Sequence, residues 1–257
     1  EEFDSPLMRR VRSEAYGEDI GQHSWGTARE LRADIDRLRL APTHHFLDLG
    51  CGPGGPLTFV LASIGCLGTG LDVSAAAVDA GRRRAASLSV DRLATFHQAD
   101  LNQALPLESG SFDAAMAFDV VLHVRDRAAL FREVARVLTP AGRFLFTDAS
   151  VVSGAISNEE IASRSVYGYA QFVAPGFNER ALEDAGFRLL ETEDRTDSLL
   201  ANATGRLTAR LAHRSDLERV ESVAVFERQQ RYLSTVIALG RRRSVLRMMY
   251  LAAVHAT

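Results

Sequence analysis

Four glycines within six residues follow an apolar stretch in the sequence FLDLGCGPGG, at positions 46–55. Glycine lacks a Cβ atom, so it adopts positive φ angles and lets another group approach the backbone closely. The apolar residues before the glycines predict a buried strand, and residues 56–63 after them predict a helix. We therefore expect a strand, a tight turn and a helix, with a ligand bound against the backbone of the turn.

Strand and helix patterns alternate through most of the chain. The predicted strands occupy residues 44–50, 68–73, 94–100, 111–121, 142–149, 188–196 and 245–256. The predicted helices occupy residues 27–38, 56–63, 75–88, 127–138 and 178–187, and a long helical stretch covers residues 199–239. Such alternation predicts an α/β fold in which a mostly parallel, seven-stranded sheet carries helices on both faces.

Local signals predict where some of these elements begin and end. Thr27 and Glu30 form a capping box at the start of the first helix. The residues TPAG at 139–142 predict a stop between a helix and the following strand. Asn178 is a candidate N-cap for a later helix. Beyond Ala149 the pattern loses its period, which predicts an insertion instead of core structure.

The balance of charges limits the classes of partner. The 257 residues include 33 acidic and 30 basic side chains, and the net charge of −3 argues against a nucleic-acid-binding surface. No apolar run approaches the length of a membrane span, and the first residues are too polar for a signal peptide, so we expect a cytoplasmic protein without a membrane partner. Cys51 and Cys66 imply no disulfide scaffold.

All 30 basic residues are arginine. The absence of lysine excludes a Walker A phosphate loop, a Schiff-base mechanism and the Tyr-x-x-x-Lys arrangement of short-chain dehydrogenases.

The glycine turn also matches a nucleotide-binding pattern. Gly50, Gly52 and Gly55 fit the dinucleotide fingerprint G-x-G-x-x-G. Asp48 precedes them, and a carboxylate there would repel a pyrophosphate but accept hydrogen bonds from an ammonium group. The turn together with Asp48 resembles the first motif of class I S-adenosylmethionine-dependent methyltransferases. The resemblance covers residues 40–150, including VLTPAGRFLFTD at 137–148.

The resemblance implies a Rossmann-like fold with a helical lid and inserts, and S-adenosylmethionine as the cofactor. It implies one methyltransferase domain over residues 1–257. Within it, residues 1–39 would form the lid, residues 40–150 the cofactor-binding core, and residues 151–257 the acceptor side and the rest of the sheet. The layout is similar to that of methyltransferases acting on sarcosine or dimethylglycine, on phosphoethanolamine and on natural products.

The resemblance also assigns cofactor-binding residues. Asp72 follows the second strand, where a carboxylate can bind both ribose hydroxyls. Asp100 ends the third strand and would meet the adenine amino group, with Leu101 packing on the ring. The full predicted set is Asp48, Gly50, Cys51, Gly52, Gly54, Asp72, Val73, Asp100, Leu101, Phe118 and Trp25.

Two residues are candidates for the methyl-transfer chemistry. A hydroxyl acceptor usually needs a base, whereas an amine acceptor must be neutral. His123 lies just past the fourth strand, where ligands bind in open α/β sheets, and imidazole suits the role of base. In the phosphoethanolamine methyltransferases that this segment resembles, a histidine after that strand acts with a tyrosine of the lid, and Tyr16 is the matching residue type here.

Aromatic residues of the lid and the insert have two interpretations. Trp25 either closes over the sulfonium by cation–π attraction or anchors the lid helix on the core. Tyr167, Tyr169 and Phe172 either line the acceptor site or belong to a packed loop.

The predicted activity is methyl transfer to a hydroxyl or amine of a small-molecule acceptor. The alternatives are a C-methyltransferase, an NAD-dependent oxidoreductase and a non-catalytic scaffold. Asp148 ends the fifth strand without a convincing second ligand, so we predict no metal. The sequence leaves open the identity of the acceptor and whether His123 is a base or a structural residue. It also leaves open whether the protein is a monomer or a homodimer.

Overall fold

Seven strands form one sheet in the computed structural model, which describes residues 2–165 and 168–255. The strands are β1 (His45–Leu49), β2 (Leu67–Asp72), β3 (Ala94–Gln98), β4 (Phe112–Phe118), β5 (Leu138–Val152), β6 (Phe187–Asp194) and β7 (Val245–Val254). Their order is β3-β2-β1-β4-β5-β7-β6, and β7 runs antiparallel to both of its neighbours while the other pairs are parallel. The predicted seven-stranded, mostly parallel sheet is confirmed.

Helices connect the strands. They are α1 (Pro6–Tyr16), α2 (Ala28–Leu38), α3 (Gly55–Ile64), α4 (Ala75–Ser87), α5 (Arg127–Val137), α6 (Asn158–Arg164), α7 (Phe177–Asp184), α8 (Thr196–Ala212), α9 (Arg214–Glu221) and α10 (Val223–Arg241). The long helical stretch predicted near the C-terminus is thus three consecutive helices, α8 to α10. Helix α6 lies in the segment that the sequence predicted as an insertion without regular structure.

The central strand β1 shows why helices cover both faces of the sheet. Successive side chains of a strand point to opposite faces. Leu47 and Leu49 belong to the hydrophobic cluster that includes Phe131 of α5, whereas Phe46 belongs to the cluster that includes Leu57 of α3. All of these side chains are fully buried. Such burial on both faces is the pattern expected of a parallel sheet between two helical layers.

The boundary between α5 and β5 differs from the prediction. The helix ends at Val137 and β5 begins at once with Leu138, so TPAG does not separate them. Phe112 pairs with Leu138 while Ala114 pairs with Arg143, so residues 139–142 form an irregularity within the ladder. The strand also continues past Ala149 and pairs with β7 as far as Val152.

The prediction that Asn178 caps α7 is wrong. The N-cap residue is Gly176, and Asn178 lies inside the helix with its side chain buried. Its amide nitrogen donates to Asp148 Oδ2 at 2.9 Å, and its amide oxygen accepts from Arg127 Nη1 at 3.0 Å. A buried charged pair needs further hydrogen-bond partners, and Asn178 provides them.

The lid segment, residues 2–39, is attached to the core by buried ion pairs. The predicted capping box of α2 is present, with Glu30 N donating to Thr27 Oγ1. Asp34 of α2 accepts two hydrogen bonds from Arg195, at 2.6 and 2.7 Å, and both side chains are buried. Glu30 accepts from the buried Arg247 of β7 at 3.1 and 3.2 Å. The lid is therefore fixed by charges that are largely shielded from water, with only Glu30 partly exposed, at 16%.

Removing Asp34 should destabilise the protein strongly. Asp34→Ala leaves the Arg195 guanidinium buried without its main partner, so we expect the free energy of unfolding to fall by about 3–5 kcal/mol, measured by urea denaturation. The matched control is Asp79→Ala, which breaks an exposed pair with Arg82 and should cost less than about 1 kcal/mol. Equal losses in the two variants would show that the Asp34 pair does not fix the lid.

Candidate active site

A cavity of about 360 Å³ lies at the carboxyl ends of β1, β2 and β4, under the lid segment. Open α/β sheets bind ligands in this position. The wall of the cavity is formed by Phe3, Gly21, His23, Ser24, Trp25, Asp48, Gly50, Cys51, Gly52, Pro53, Pro56, Asp72, Phe118, Asp119, Val120, Leu122, His123, Arg164, Arg206 and Tyr232. Eight of the thirteen residues predicted for the site are in this wall; Tyr16, Gly54, Val73, Asp100 and Leu101 are not.

The glycines after β1 serve different purposes. A Cβ atom at Gly50 would lie 2.2 Å from Val120 Cγ2, one at Gly54 would lie 2.9 Å from Phe96 Cε1, and one at Gly55 would lie 2.2 Å from the carbonyl oxygen of Gly21. These three glycines therefore permit close packing of protein against protein. Gly52 has a φ of +53° and no atom within 4 Å of a Cβ built on it. It is the glycine at which this turn faces open space.

Asp48 presents a buried carboxylate to the same space. Its side chain is 3% exposed, and its Oδ2 atom has no hydrogen-bond partner among the described residues. Burial raises the pKa of Asp48 to about 8, and the nearby charge of Asp72 acts in the same direction. A buried carboxylate without a partner is costly, and a cationic ligand would supply one. The carboxylate of Asp48 therefore fits a ligand that carries an ammonium group.

Asp72 lies beside the glycine turn. Its Oδ2 accepts from the backbone N–H of Gly52 and its Oδ1 accepts from the N–H of Ser74, both at 2.9 Å. These bonds hold the carboxylate at the edge of the cavity and fix the backbone of Gly52. The next residue, Val73, is 65% exposed. An exposed valine beside a cavity offers an apolar surface to a flat ring.

The two predicted adenine contacts, Asp100 and Leu101, are not part of the cavity wall. Asp100 accepts hydrogen bonds from Asn102, from its N–H at 2.9 Å and from its amide group at 2.8 Å, and these bonds lower the pKa of Asp100. Leu101 is buried in the cluster that contains Leu71 and Leu105.

His123 lines the cavity and is held through one of its two ring nitrogens. Nδ1 lies 2.8 Å from the carbonyl oxygen of Tyr169, which can only accept, so Nδ1 carries the proton. Nε2 of the neutral ring is then an acceptor that can take a proton from a bound group. His23 also lines the cavity, and desolvation together with the charge of Arg206 lowers the pKa of His23. It is therefore neutral at physiological pH.

Tyr16 lies at the end of α1 and does not reach the cavity wall. Its hydroxyl donates to the carbonyl oxygen of Ser24 at 2.9 Å, and burial raises the pKa of Tyr16.

Among the aromatics of the insert, Tyr167 lies outside the described residues. Tyr169 is 44% exposed, and the Arg125 guanidinium lies 5.2 Å from its ring.

Trp25 lines the cavity and also makes the contacts expected of a residue that anchors the lid segment. It is buried, it stacks on Tyr232 with ring centroids 6.0 Å apart, and the Arg206 guanidinium lies 4.9 Å from its ring. Its backbone N–H donates to Asp119 Oδ2 at 2.9 Å. The tryptophan thus fixes the lid segment against α8 and α10 where the cavity begins.

Sequence reasoning missed the basic part of the wall. Arg164 ends α6, Arg206 lies on α8, and both line the cavity with Tyr232 of α10. Nothing distinguishes these two among 30 arginines in the sequence. The capping box of Ser157 and Glu160, which begins α6, was a signal that could have revealed the helix.

Asp148, the candidate metal ligand, is used structurally. Arg127 Nη1 donates to its Oδ2 at 2.6 Å, and the N–H of Ser150 donates to its Oδ1 at 3.0 Å. Within residues 2–165 and 168–255, no group of three or more His, Cys, Asp and Glu side chains is arranged to hold a metal ion.

None of the helices described is both long enough and apolar enough to cross a membrane.

Several proteins with similar sequences are named methyltransferases. A family model described as a methyltransferase domain matches residues 47–146. An O-methyltransferase from Pyrenophora dematioidea is 31% identical over 62% of this chain, and the chain spans 60% of that protein. A sarcosine/dimethylglycine N-methyltransferase from Halorhodospira halochloris is 28% identical over 71% of this chain and 69% of its own length. The cyclopropane synthase MmaA2 from Mycobacterium tuberculosis shares the fold with a TM-score of 0.84 at 17% identity, over 98% of this chain and 95% of that one.

Asp48→Asn should stabilise the ligand-free protein in a pH-dependent way. Because the folded-state pKa of about 8 lies above the unfolded value, ionisation of Asp48 favours the unfolded state increasingly as the pH rises from about 4 to 8. Asparagine has nearly the same shape and no charge. We expect the free energy of unfolding of the variant to exceed that of the parent by about 1–3 kcal/mol at pH 8, and by less at pH 5.5, in urea titrations. A difference that did not change with pH would contradict the raised pKa.

Proposed function

We propose that the chain transfers a methyl group from S-adenosylmethionine to a hydroxyl or amine of a small molecule, as the match of residues 47–146 to a methyltransferase-domain model suggests. The observation that carries this proposal is the buried, unpartnered Oδ2 of Asp48 beside the open space at Gly52. An ammonium group close to a nucleoside satisfies both features. A pyrophosphate would be repelled by Asp48, which disfavours the NAD-dependent alternative.

In the proposed cofactor site, different residues would contact different parts of S-adenosylmethionine. Asp48 would accept from the ammonium group, directly or through water, and Gly52 would admit the methionine portion close to the backbone. Asp72 would accept from the ribose hydroxyls. The exposed side chain of Val73 would pack against the adenine ring, and we keep Asp100 and Leu101 as its predicted neighbours in the loop after β3.

S-adenosylmethionine supplies an electrophilic methyl group attached to a positively charged sulfur. The protein's part is to hold the acceptor in line with it and to exclude water. The lid segment and Trp25 close the cavity above the carboxyl ends of the strands. His123, with its proton on Nδ1 facing Tyr169, would accept the acceptor's proton at Nε2. His23, which is neutral, adds a second polar side chain to the cavity wall and places no charge beside the methyl group.

We further propose that residues 151–257 form the acceptor side, the lid covers it, and residues 40–150 bind the cofactor. The cavity supports this division. Of its acids, Asp48 and Asp72 come from β1 and β2 and Asp119 follows β4, whereas Arg164, Arg206 and Tyr232 come from helices after β5.

Calorimetric titration should show micromolar binding of S-adenosylmethionine and S-adenosylhomocysteine and no binding of NAD. Gly52→Val should abolish this binding, because the added side chain fills the space beside Asp48. Gly65→Val is the matched control: Gly65 also has a positive φ, of +78°, and no atom within 4 Å of an added Cβ, but it lies outside the cavity wall. It should lose stability and keep its affinity. Binding of NAD alone would overturn the proposal.

His123→Ala should separate chemistry from binding. We expect S-adenosylhomocysteine to bind within about twofold of the parent affinity, while kcat/KM for a hydroxyl acceptor falls by about 10²–10⁴-fold, the usual contribution of a general base. The assay measures methyl transfer to acceptors found by metabolite screening. His97→Ala, a change on the exposed side of β3, is the control and should have parent-like turnover. If His123→Ala retained full turnover, His123 would not be the base.

A further inference from the structure

Arg164 differs from the other buried arginines of the described structure. Six arginine side chains are buried, and five of them have a carboxylate within salt-bridge distance. Those five are Arg12, Arg127, Arg195, Arg210 and Arg247. Arg164 is 4% exposed, and no carboxylate of the described residues lies within that distance of it. A buried guanidinium without a counter-charge is costly, and an anion from outside the chain would supply one.

Two neutral oxygens hold Arg164 in place. Its Nη1 donates to the Tyr232 hydroxyl at 2.9 Å, and its Nη2 donates to the carbonyl oxygen of Ala149 at 2.7 Å. These bonds use two of the five N–H donors of a guanidinium and neutralise none of its charge. The group is therefore oriented by the protein, faces the cavity, and keeps donors for a ligand.

A second arginine lines the same part of the cavity. Arg206 of α8 lies over the Trp25 ring at 4.9 Å, and Trp25 in turn stacks on Tyr232, the partner of Arg164. The two cations thus belong to one connected group of side chains from α6, α8, α10 and the lid. The carboxylates of Asp48 and Asp72 belong to β1 and β2, on the other side of β4 in the sheet. The third acid of the cavity wall, Asp119 just after β4, is paired with Arg247.

We propose that Arg164 and Arg206 form an anion-binding subsite for the methyl acceptor, which therefore carries a carboxylate or a phosphate in addition to its nucleophilic group. This inference rests on the proposed function. The acids at one part of the cavity attract the cationic cofactor, and the arginines at another part attract an anionic acceptor. The two groups of charges thereby orient the cofactor and the acceptor relative to each other. The acceptor's anionic group is held at the basic end, which leaves its nucleophile to face the methyl group near His123.

The only tryptophan in the sequence provides the test. Protein saturated with S-adenosylhomocysteine is titrated with inorganic phosphate, and in a second series with acetate, at an ionic strength kept constant with chloride, while Trp25 fluorescence is recorded. We expect a saturable change with at least one anion, and the anion that binds more tightly indicates whether the subsite suits phosphate or carboxylate. Arg164→Gln and Arg206→Gln should each weaken this binding by about 10-fold or more, as expected for loss of a charged hydrogen bond.

Arg82→Gln, on an exposed arginine of α4, is the control and should leave anion binding unchanged. S-adenosylhomocysteine should bind Arg164→Gln within about twofold of the parent. A parallel loss of its affinity would mean that Arg164 holds the cofactor's own carboxylate, and the inference would be wrong. No saturable response in the parent, or the same response in both arginine variants, would also overturn it. If S-adenosylhomocysteine bound to none of the proteins, the proposed function would fail, and the anion titration of ligand-free protein would still decide the subsite.

Discussion

The close approach of several chain segments to the turn after β1 is the constraint on which the site depends. Gly50 admits Val120 from the loop after β4, and Gly55 admits the carbonyl oxygen of Gly21 from the lid. A side chain at either position would push one of these segments away. Because three of the four glycines serve protein packing, the space left at Gly52 has fixed walls. The turn therefore fixes the shape of the cavity wall, and the space that this wall leaves at Gly52 can admit a ligand.

Buried ion pairs hold the lid segment over that cavity. Arg247 is fully buried and donates to Glu30 of the lid and, at 3.1 Å, to Asp119 at the end of β4. Asp119 in turn accepts from the backbone N–H of Trp25. One guanidinium thus connects the lid helix, the loop beside the glycine turn and the aromatic wall. Because a buried charge without its partner is strongly unfavourable, these three parts keep their relative positions together.

The sequence predicted most parts of the structure that depend on local patterns, apart from α6 and the boundary between α5 and β5, and it missed those that depend on tertiary contacts. Alternating strands and helices and the Thr27 capping box could be read from spacing and residue type. Asn178 resembled a helix cap by type, but its place was decided by the buried pair of Arg127 and Asp148. Tyr16 matched a family residue by type, while its hydroxyl bonds the backbone of Ser24. No local pattern shows that Arg164 would be buried without a carboxylate.

The fold alone does not decide which bond is made at the site. The same sheet supports enzymes named for methyl transfer and for cyclopropane synthesis among its structural neighbours. The distribution of charge in the cavity of this chain says more than its fold. Acids from β1 and β2 suit a cation beside the glycine turn, and Arg164, which has no carboxylate within salt-bridge distance among the described residues, suits an anion beside Trp25 and Tyr232. On the proposed function, a neutral, apolar acceptor would leave the Arg164 guanidinium with only its two neutral hydrogen-bond partners, Tyr232 and the carbonyl oxygen of Ala149, so electrostatics would disfavour such an acceptor.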